Sequence, residues 1–485
     1  MGAPLKESEV AAHVSGICFK TGPPRRTGVE LEWLVRDRGR PALAVPARRL
    51  HEALAPLREP GALPGGSRVT QEPGGQVELS SLPADTPARC AAAMAADAER
   101  LRQTLARAGL IPDGSGLDAH RLPPRILDHP RYRAMETYFD REGPWGRMMM
   151  RATASVQINI DAGDESEGPL GYRARWNMAH RLGPVLIAAF ANSPLWNGRP
   201  TGWASTRQAV WSHMDPSRVR PPEPGGGPRD SWARHALDAP LLCVRGEGPG
   251  PWTVPRGLTL RDWLRDGGNG AGSLNGAGRP PDLEDVDYHL STLFPPVRPR
   301  GWLELRMVDA QHGDDWQVPL LVTAALLDDP VASAAARAAT EPLAPGREFA
   351  PWPVWLRAAR AGPADPEVGR AVRACFAAAQ EALARQAAPA GAREAVAAFA
   401  ERYALRGRCP ADDRLDALRE NGGNGGSSGN SGNSSNTAPH RGEYAGTASP
   451  PDVFPPAPPA HHRPVPPVSP ASSIPESADL VEGAP

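Results

Sequence analysis

Four short stretches of the sequence place acidic and amide side chains at every second position. In "VELEWLV", Val29 to Val35, Glu30, Glu32 and Leu34 fall on one side and Val29, Leu31, Trp33 and Val35 on the other, because side chains alternate along a strand. "GGQVELSS" sets Gln76, Glu78 and Ser80 opposite Val77 and Leu79, and "ASVQINIDAG" sets Ser155, Gln157, Asn159 and Asp161 opposite Val156, Ile158 and Ile160. "GWLELRMVDA" sets Glu304 and Arg306 against Leu303, Leu305 and Met307. One such strand is an ordinary antiparallel strand with one face on a core and one in water. Four of them, offering carboxylates, carboxamides and one arginine but no lysine, form a ligand set.

If Glu30, Glu32, Glu78 and Glu304 converge on one floor, each pair about 5 Å apart repels by roughly 3 kcal/mol at an effective dielectric near 20. Several such pairs rival a domain's stability margin of about 5 to 15 kcal/mol. Either the glutamates are spread apart in water or cations hold them. Oxygen-only ligands without His or Cys select hard ions, and magnesium combines a few carboxylates with waters and substrate phosphates. The expected occupant is therefore a magnesium nucleotide such as ATP. Arg306 suits a phosphoryl oxygen through its planar fork, and the carboxamides Gln76, Gln157 and Asn159 are the other candidates for nucleotide contact. The sequence has no Gly-x-x-x-x-Gly-Lys-Ser/Thr stretch and no Gly-x-Gly-x-x-Gly after a strand, so the nucleotide is expected on the sheet itself rather than in a P-loop or Rossmann site.

The elements that must position these residues are strands early and in the middle of the chain, with helices between and after. Helix-period apolar faces run through "ARCAAAMAADAERLRQTLARAGL", "GPLGYRARWNMAHRLGPVLIAAFANS", "EVGRAVRACFAAAQEALARQ" and "AREAVAAFAERYAL". That order predicts an α+β protein rather than a regular βαβ alternation. At 485 residues and 40% hydrophobic content the chain can build a large core. Lys plus Arg is 54 against 55 for Asp plus Glu, which leaves no net basic footprint for nucleic acid. No stretch reaches the roughly 18 apolar residues that span a bilayer, and a soluble, cytoplasmic protein is expected. Cys18, Cys90, Cys243, Cys375 and Cys409 contain no Cys-x-x-Cys pair and read as reduced, buried thiols. Residues 1–420 are expected to form the catalytic domain, interrupted by a mobile glycine-rich loop over 265–282. From Asn421 the sequence turns Gly/Ser/Asn-rich and then Pro-rich, and residues 421–485 are expected to be a disordered tail.

The combination of "GVELEW", "EPGGQVELS", "MMMRATASVQINID", "FANSPLWNGRPTGWASTRQAVW" and "LFPPVRPRGWLELRMVDAQ" resembles the plant-type glutamate–cysteine ligases, and within them the actinobacterial branch that serves ergothioneine synthesis. The resemblance runs from about Val14 to Gln311, thins to about Arg419 and is absent from the tail. It implies a glutamine-synthetase-like fold, an antiparallel sheet forming a funnel whose floor binds magnesium ATP. It also implies a reaction in which ATP phosphorylates the side-chain carboxylate of L-glutamate and L-cysteine displaces phosphate to give γ-glutamylcysteine. Carried over residue by residue, Glu30, Glu32, Glu78 and Glu304 match the metal ligands, Gln157 a metal-facing polar position, and Arg306, beside Glu304, the residue that meets the transferring phosphate. Arg207 matches the arginine for the substrate carboxylate, with Trp203 and Thr153 as pocket walls. "NSP", Asn192 to Pro194, reads as a helix-ending turn and Met148 to Met150 as core packing. Two other readings use the same residues. Another carboxylate–amine ligase of the superfamily would share the metal floor and differ in its acceptor pocket. A catalytically inactive binding protein would keep the cleft, use the Pro-rich tail for partners and be expected to lose a floor carboxylate, whereas all four are present.

Overall fold

The computed structural model describes residues 5–21, 26–246, 250–266 and 279–423. Most of the expected glycine-rich loop, and the expected tail from 424 onward, lie outside the described residues.

Among the described residues there are nine strands: β1 Thr27–Asp37, β2 Arg68–Gln71, β3 Val77–Ser80, β4 Leu110–Asp113, β5 Ser155–Asp161, β6 Leu195–Trp196, β7 Arg199–Pro200, β8 Val297–Pro299 and β9 Trp302–Asp309. Seven of them form one sheet in the order β2-β3-β1-β5-β9-β8, with β4 also pairing β1, and β6 and β7 make a small separate ribbon. Every pairing in the sheet is antiparallel. The four stretches that alternate in sequence are β1, β3, β5 and β9, side by side at its centre. Residues Thr27 to Glu32 of β1 alternate between fully and partly buried, as the spacing requires.

The apolar halves of these strands join one core. Val29, Leu31, Val77, Leu79, Val156, Ile158, Leu303 and Leu305 are essentially inaccessible and belong to a single cluster with the helices behind the sheet. Three helices do most of that covering: Pro87–Arg107, started by Thr86 accepting a hydrogen bond from the Arg89 amide, Tyr172–Ala189, and Gln317–Asp328, which is buried from Val318 through Leu327. Burying each Leu, Ile or Val side chain contributes about 1.5 to 3 kcal/mol, so one sheet face is committed to the core and the other is free to carry polar groups. The fold is α+β, as the order of elements predicts. Among the described residues no single helix is long and apolar enough to cross a membrane. All five cysteines are free and buried.

Candidate active site

The polar face of the sheet forms the floor of an open cleft of about 880 Å³. Register brings the acidic and amide residues together: Glu32 stands opposite Glu78 across β1 and β3, Glu30 opposite Gln157 across β1 and β5, and Asn159 opposite Glu304 across β5 and β9. Cross-strand partners lie about 4.5 to 5.5 Å apart at Cβ, so residues separated by more than a hundred positions in the chain become neighbours.

Each floor carboxylate has its own support. Glu32 accepts hydrogen bonds from the Ser155 amide at 2.9 Å and from Gln157 Nε2 at 2.9 Å. Glu78 accepts from Thr70 Oγ1 at 3.0 Å and Ser80 Oγ at 2.9 Å, and Glu30 accepts from Asn159 Nδ2 at 3.2 Å. A further carboxylate, Glu72, also lines the cleft. It comes from the Glu72–Gln76 turn, where the Glu72 amide donates to the Gln76 carbonyl at 2.9 Å and the Gly75 amide to the Glu72 carbonyl at 2.9 Å. Gly75 takes φ +89, and a Cβ on Gly74 would come within 2.0 Å of the Arg151 carbonyl oxygen, so two glycines are required to hold the turn against the site.

Burial, followed by repulsion from Glu304 and Glu78, raises the Glu30 pKa to about 7. Glu32, Glu72 and Glu78 are likewise pushed up, by burial first and then by neighbouring carboxylates, with Arg207 and Arg306 opposing the rise at Glu32. Four carboxylates held above their ordinary range on one floor are short of positive charge. Among the described residues no three His, Cys, Asp or Glu side chains are drawn into a ready metal cage. The donor set, oxygen alone and underneutralised, suits a hard divalent cation that keeps several waters.

Glu304 behaves differently. It is fully buried and does not line the cleft. Arg298 holds it through Nε at 2.5 Å and Nη2 at 3.1 Å, Arg300 reaches it at 3.3 Å and Arg306 at 3.1 Å. Burial alone would raise its pKa, but these arginines outweigh it and hold the carboxyl well below the usual range. The cations expected to hold this glutamate are, in this structure, guanidinium groups of the protein.

Arg306 extends from β9 to Gln157 Oε1, and its Nε, buried, has no hydrogen-bond partner. Gln157 therefore bridges Glu32 and Arg306. Gln76 lines the cleft, yet its amide braces the turn, accepting from the Gly74 amide at 3.0 Å and donating to the Thr153 carbonyl at 2.8 Å. Asn159 is a step behind the cleft lining, between Glu30 and Trp302 Nε1 at 2.9 Å. Thr153 lines the wall, its hydroxyl donating to the Met149 carbonyl at 2.6 Å. Trp203 does not line the cleft and packs against the main core. Met148, Met149 and Met150 are core residues, and the last two also reach the cleft.

Arg207 sits in the helix Thr206–Ser212, whose N-cap Ser205 accepts from the Gln208 amide. Its Nη2 donates to the Arg306 carbonyl at 2.9 Å, while Nε and Nη1 are buried without hydrogen-bond partners, Nη1 lying 3.7 Å from Asp309. The segment Asn192–Pro194 lies beyond the end of the helix Tyr172–Ala189 and makes contacts of its own, since the Asn192 amide and Ser193 Oγ both donate to Asp309 Oδ2, at 2.9 and 2.7 Å. Burial raises the Asp309 pKa although Arg207 and these donors pull the other way. Glu72, Arg298, Arg300 and Asp309 were not legible as site residues from alternation alone. Glu72 lies in a turn, Arg298 on the three-residue edge strand β8 between prolines, and Asp309 at the end of β9, where an irregularity in the β5–β9 register breaks the two-residue alternation and sets it opposite Ser155.

A family model described as glutamate-cysteine ligase family 2 matches residues 26–436. The glutamate–cysteine ligase EgtA of Mycolicibacterium smegmatis is 40% identical over 420 residues, covering 85% of this chain and 92% of that one. The EgtA of Mycobacterium tuberculosis is 38% identical over 420 residues, covering 86% and 91%. The chloroplastic glutamate–cysteine ligase of Medicago truncatula is 30% identical over 268 residues, covering 53% and 49%. Among solved structures, a Francisella tularensis glutamate–cysteine ligase in complex with AMP overlays with a TM-score of 0.44 at 11% identity, covering 82% of this chain and 86% of that one.

Proposed function

The chain belongs to glutamate–cysteine ligase family 2, and on that premise we propose that its cleft joins L-glutamate to L-cysteine with ATP as phosphoryl donor. The γ-carboxylate oxygen of glutamate attacks the terminal phosphorus of ATP and ADP departs. The cysteine amine then adds to the activated carbonyl, loses a proton and expels phosphate, which leaves with one of the original carboxylate oxygens. The product is γ-glutamylcysteine, and its proposed use is ergothioneine synthesis.

One observation carries the reading. Two guanidinium groups that each keep a buried N–H nitrogen without a hydrogen-bond partner, Arg207 and Arg306, are tied to each other through the Arg306 carbonyl and line the same cleft as the carboxylate floor. Bringing a carboxylate to a phosphate is opposed by charge, so fixed cations at the reacting oxygens and alignment of the attacking group supply the acceleration. Arg306 is assigned to the transferring phosphoryl group and Arg207 to the glutamate carboxylate, with Thr153 on the pocket wall. Magnesium, when bound by Glu30, Glu32, Glu72 and Glu78, would neutralise the ATP phosphates. Glu304 can join that set only if Arg298 releases one of its oxygens, and in the arrangement described it instead orients Arg306. The five reduced thiols suit the cytoplasm, which is the proposed location.

The test is positional. Glutamate carrying oxygen-18 in its side-chain carboxylate, supplied with ATP, magnesium and cysteine, is expected to deliver one labelled oxygen into the released phosphate. Absence of label in phosphate would rule out the acyl-phosphate route. The same assay run with a panel of amines is expected to select cysteine, and equal rates with unrelated amines would point to another carboxylate–amine ligase.

A further inference from the structure

Behind Arg207, on the side away from the carboxylate floor, lies a buried polar cluster that the ligase chemistry above does not use. Asp309, at the end of β9, is 1% exposed. Its Oδ2 accepts from the Asn192 amide at 2.9 Å and Ser193 Oγ at 2.7 Å, and its Oδ1 accepts from Ser205 Oγ at 2.8 Å. Ser193 Oγ in turn accepts from the Arg207 amide at 3.1 Å. The same carboxylate thus clasps the segment after one helix, the N-cap of the next, and the backbone and side chain of Arg207. There is no slack around it: a Cβ on Gly116 would come within 2.5 Å of Asp309 Cγ.

We propose that Asp309 is the positioning residue for Arg207, a charged seat that fixes the glutamate-binding guanidinium to the same strand that carries the phosphoryl-binding Arg306. The inference rests on the assignment of Arg207 to the glutamate carboxylate. Three neutral donors and one cation converge on Asp309, which calls for a side chain that only accepts; a carboxamide would turn its NH₂ toward at least one of them. A buried guanidinium also needs a nearby anion, and Asp309 lies 3.7 Å from Nη1. With Nη2 on the Arg306 carbonyl and Nη1 facing Asp309, the Arg207 head group is held against β9 at both ends. The separation between the two arginines, and hence between the attacking carboxylate and the phosphate, becomes a property of one strand.

Steady-state constants for the full chain decide the matter, with Arg207→Lys, Asp309→Asn and the double variant compared with the parent. Arg207→Lys is expected to raise the KM for glutamate at least tenfold. Asp309→Asn is expected to raise it at least fivefold while the KM for ATP stays within twofold and kcat within threefold. In the double variant the KM for glutamate should lie within twofold of Arg207→Lys alone, because a seat without its arginine has nothing left to position. If Asp309→Asn raises all KM values together and lowers kcat, or if the two substitutions multiply, Asp309 is merely structural and the inference fails while the assignment of Arg207 stands. If Arg207→Lys leaves the KM for glutamate unchanged, both fall. Should Asp309→Asn not fold, Ser193→Ala carries the comparison: a threefold rise confined to the KM for glutamate supports the seat, and no change overturns it.

Discussion

At the scale of single residues, the two kinds of buried glutamate are expected to respond oppositely to neutralisation. The Glu30 pKa is raised from 4.5 to about 7, so between those values the folded protein holds a proton that the unfolded chain releases. Its contribution to stability is therefore present at low pH and is lost as pH rises through about 7. In chelator, the parent should melt at a higher temperature at pH 5.5 than at pH 8, and Glu30→Gln should flatten that dependence and raise the melting temperature at pH 8. Glu304 has the reverse sign: its pKa is depressed by Arg298, Arg306 and Arg300 against the pull of burial, so its stabilisation is present above the ordinary carboxylate range and is lost as pH falls below it. Glu304→Gln leaves those arginines without their shared anion and should destabilise by about 3 to 5 kcal/mol, read as a lower urea midpoint at pH 7.5. Equal effects of the two substitutions would show that both glutamates answer to the same environment. Arg306→Lys should slow turnover by one to three decades with little change in the KM for glutamate, since losing a preorganised donor at developing charge costs about 2.7 to 4 kcal/mol and lysine restores part of it.

At the scale of elements, the Glu72–Gln76 turn joins the sheet edge to the site. A Cβ on Gly74 would come within 2.0 Å of the carbonyl oxygen of Arg151, in the last turn of the helix that precedes β5, so only glycine lets the turn lie this close to that helix. Gly74→Ala should displace Glu72 and the Gln76 brace, reducing kcat/KM for magnesium ATP at least tenfold. Gly16→Ala, in the helix Glu7–Cys18, is the control, because a Cβ there meets nothing within 4 Å. It should stabilise by about 0.5 to 1 kcal/mol without touching the kinetics. Retention of full ATP affinity in Gly74→Ala would detach the turn from the site.

At the scale of the whole molecule, the described residues that line the cleft run from Ile17 to Arg306, yet the helix Pro410–Gly423 still packs on residues beside the sheet. Arg414 bonds Ser115 Oγ and lies 3.3 Å from His312, while Asp413 accepts from Arg402, Tyr403 and Arg408. That helix runs past the boundary expected at residue 420. A chain ending at Gly423 is expected to keep its specific activity within about twofold. One ending at Arg408 should unfold several degrees lower, having lost those partners together with the buried Cys409 and Ala411. A tenfold rate loss in the chain ending at Gly423 would give the removed segment a part in catalysis.

What the sequence determined by itself is whatever repeats along the chain at short range. The two-residue alternation of Glu30, Glu32, Glu78, Gln157, Glu304 and Arg306 with apolar neighbours placed them on strands with a single polar face, and helix-period stretches placed the helices, because both patterns record burial against solvent residue by residue. Only the tertiary structure decided which polar groups face the cleft and which are spent on one another. Glu304 obeys the same alternation as Glu30, but β8 lays Arg298 across it and takes it out of the cleft lining. Glu72 has no periodic signal because it enters from a turn. Asp309 carries no signal in the alternation, which a register shift breaks before it, and its role comes only from Asn192, Ser193, Ser205 and Arg207, brought around it from more than a hundred residues away. Pairing of charges depends on distances of 3 to 4 Å across the fold, which local composition does not encode.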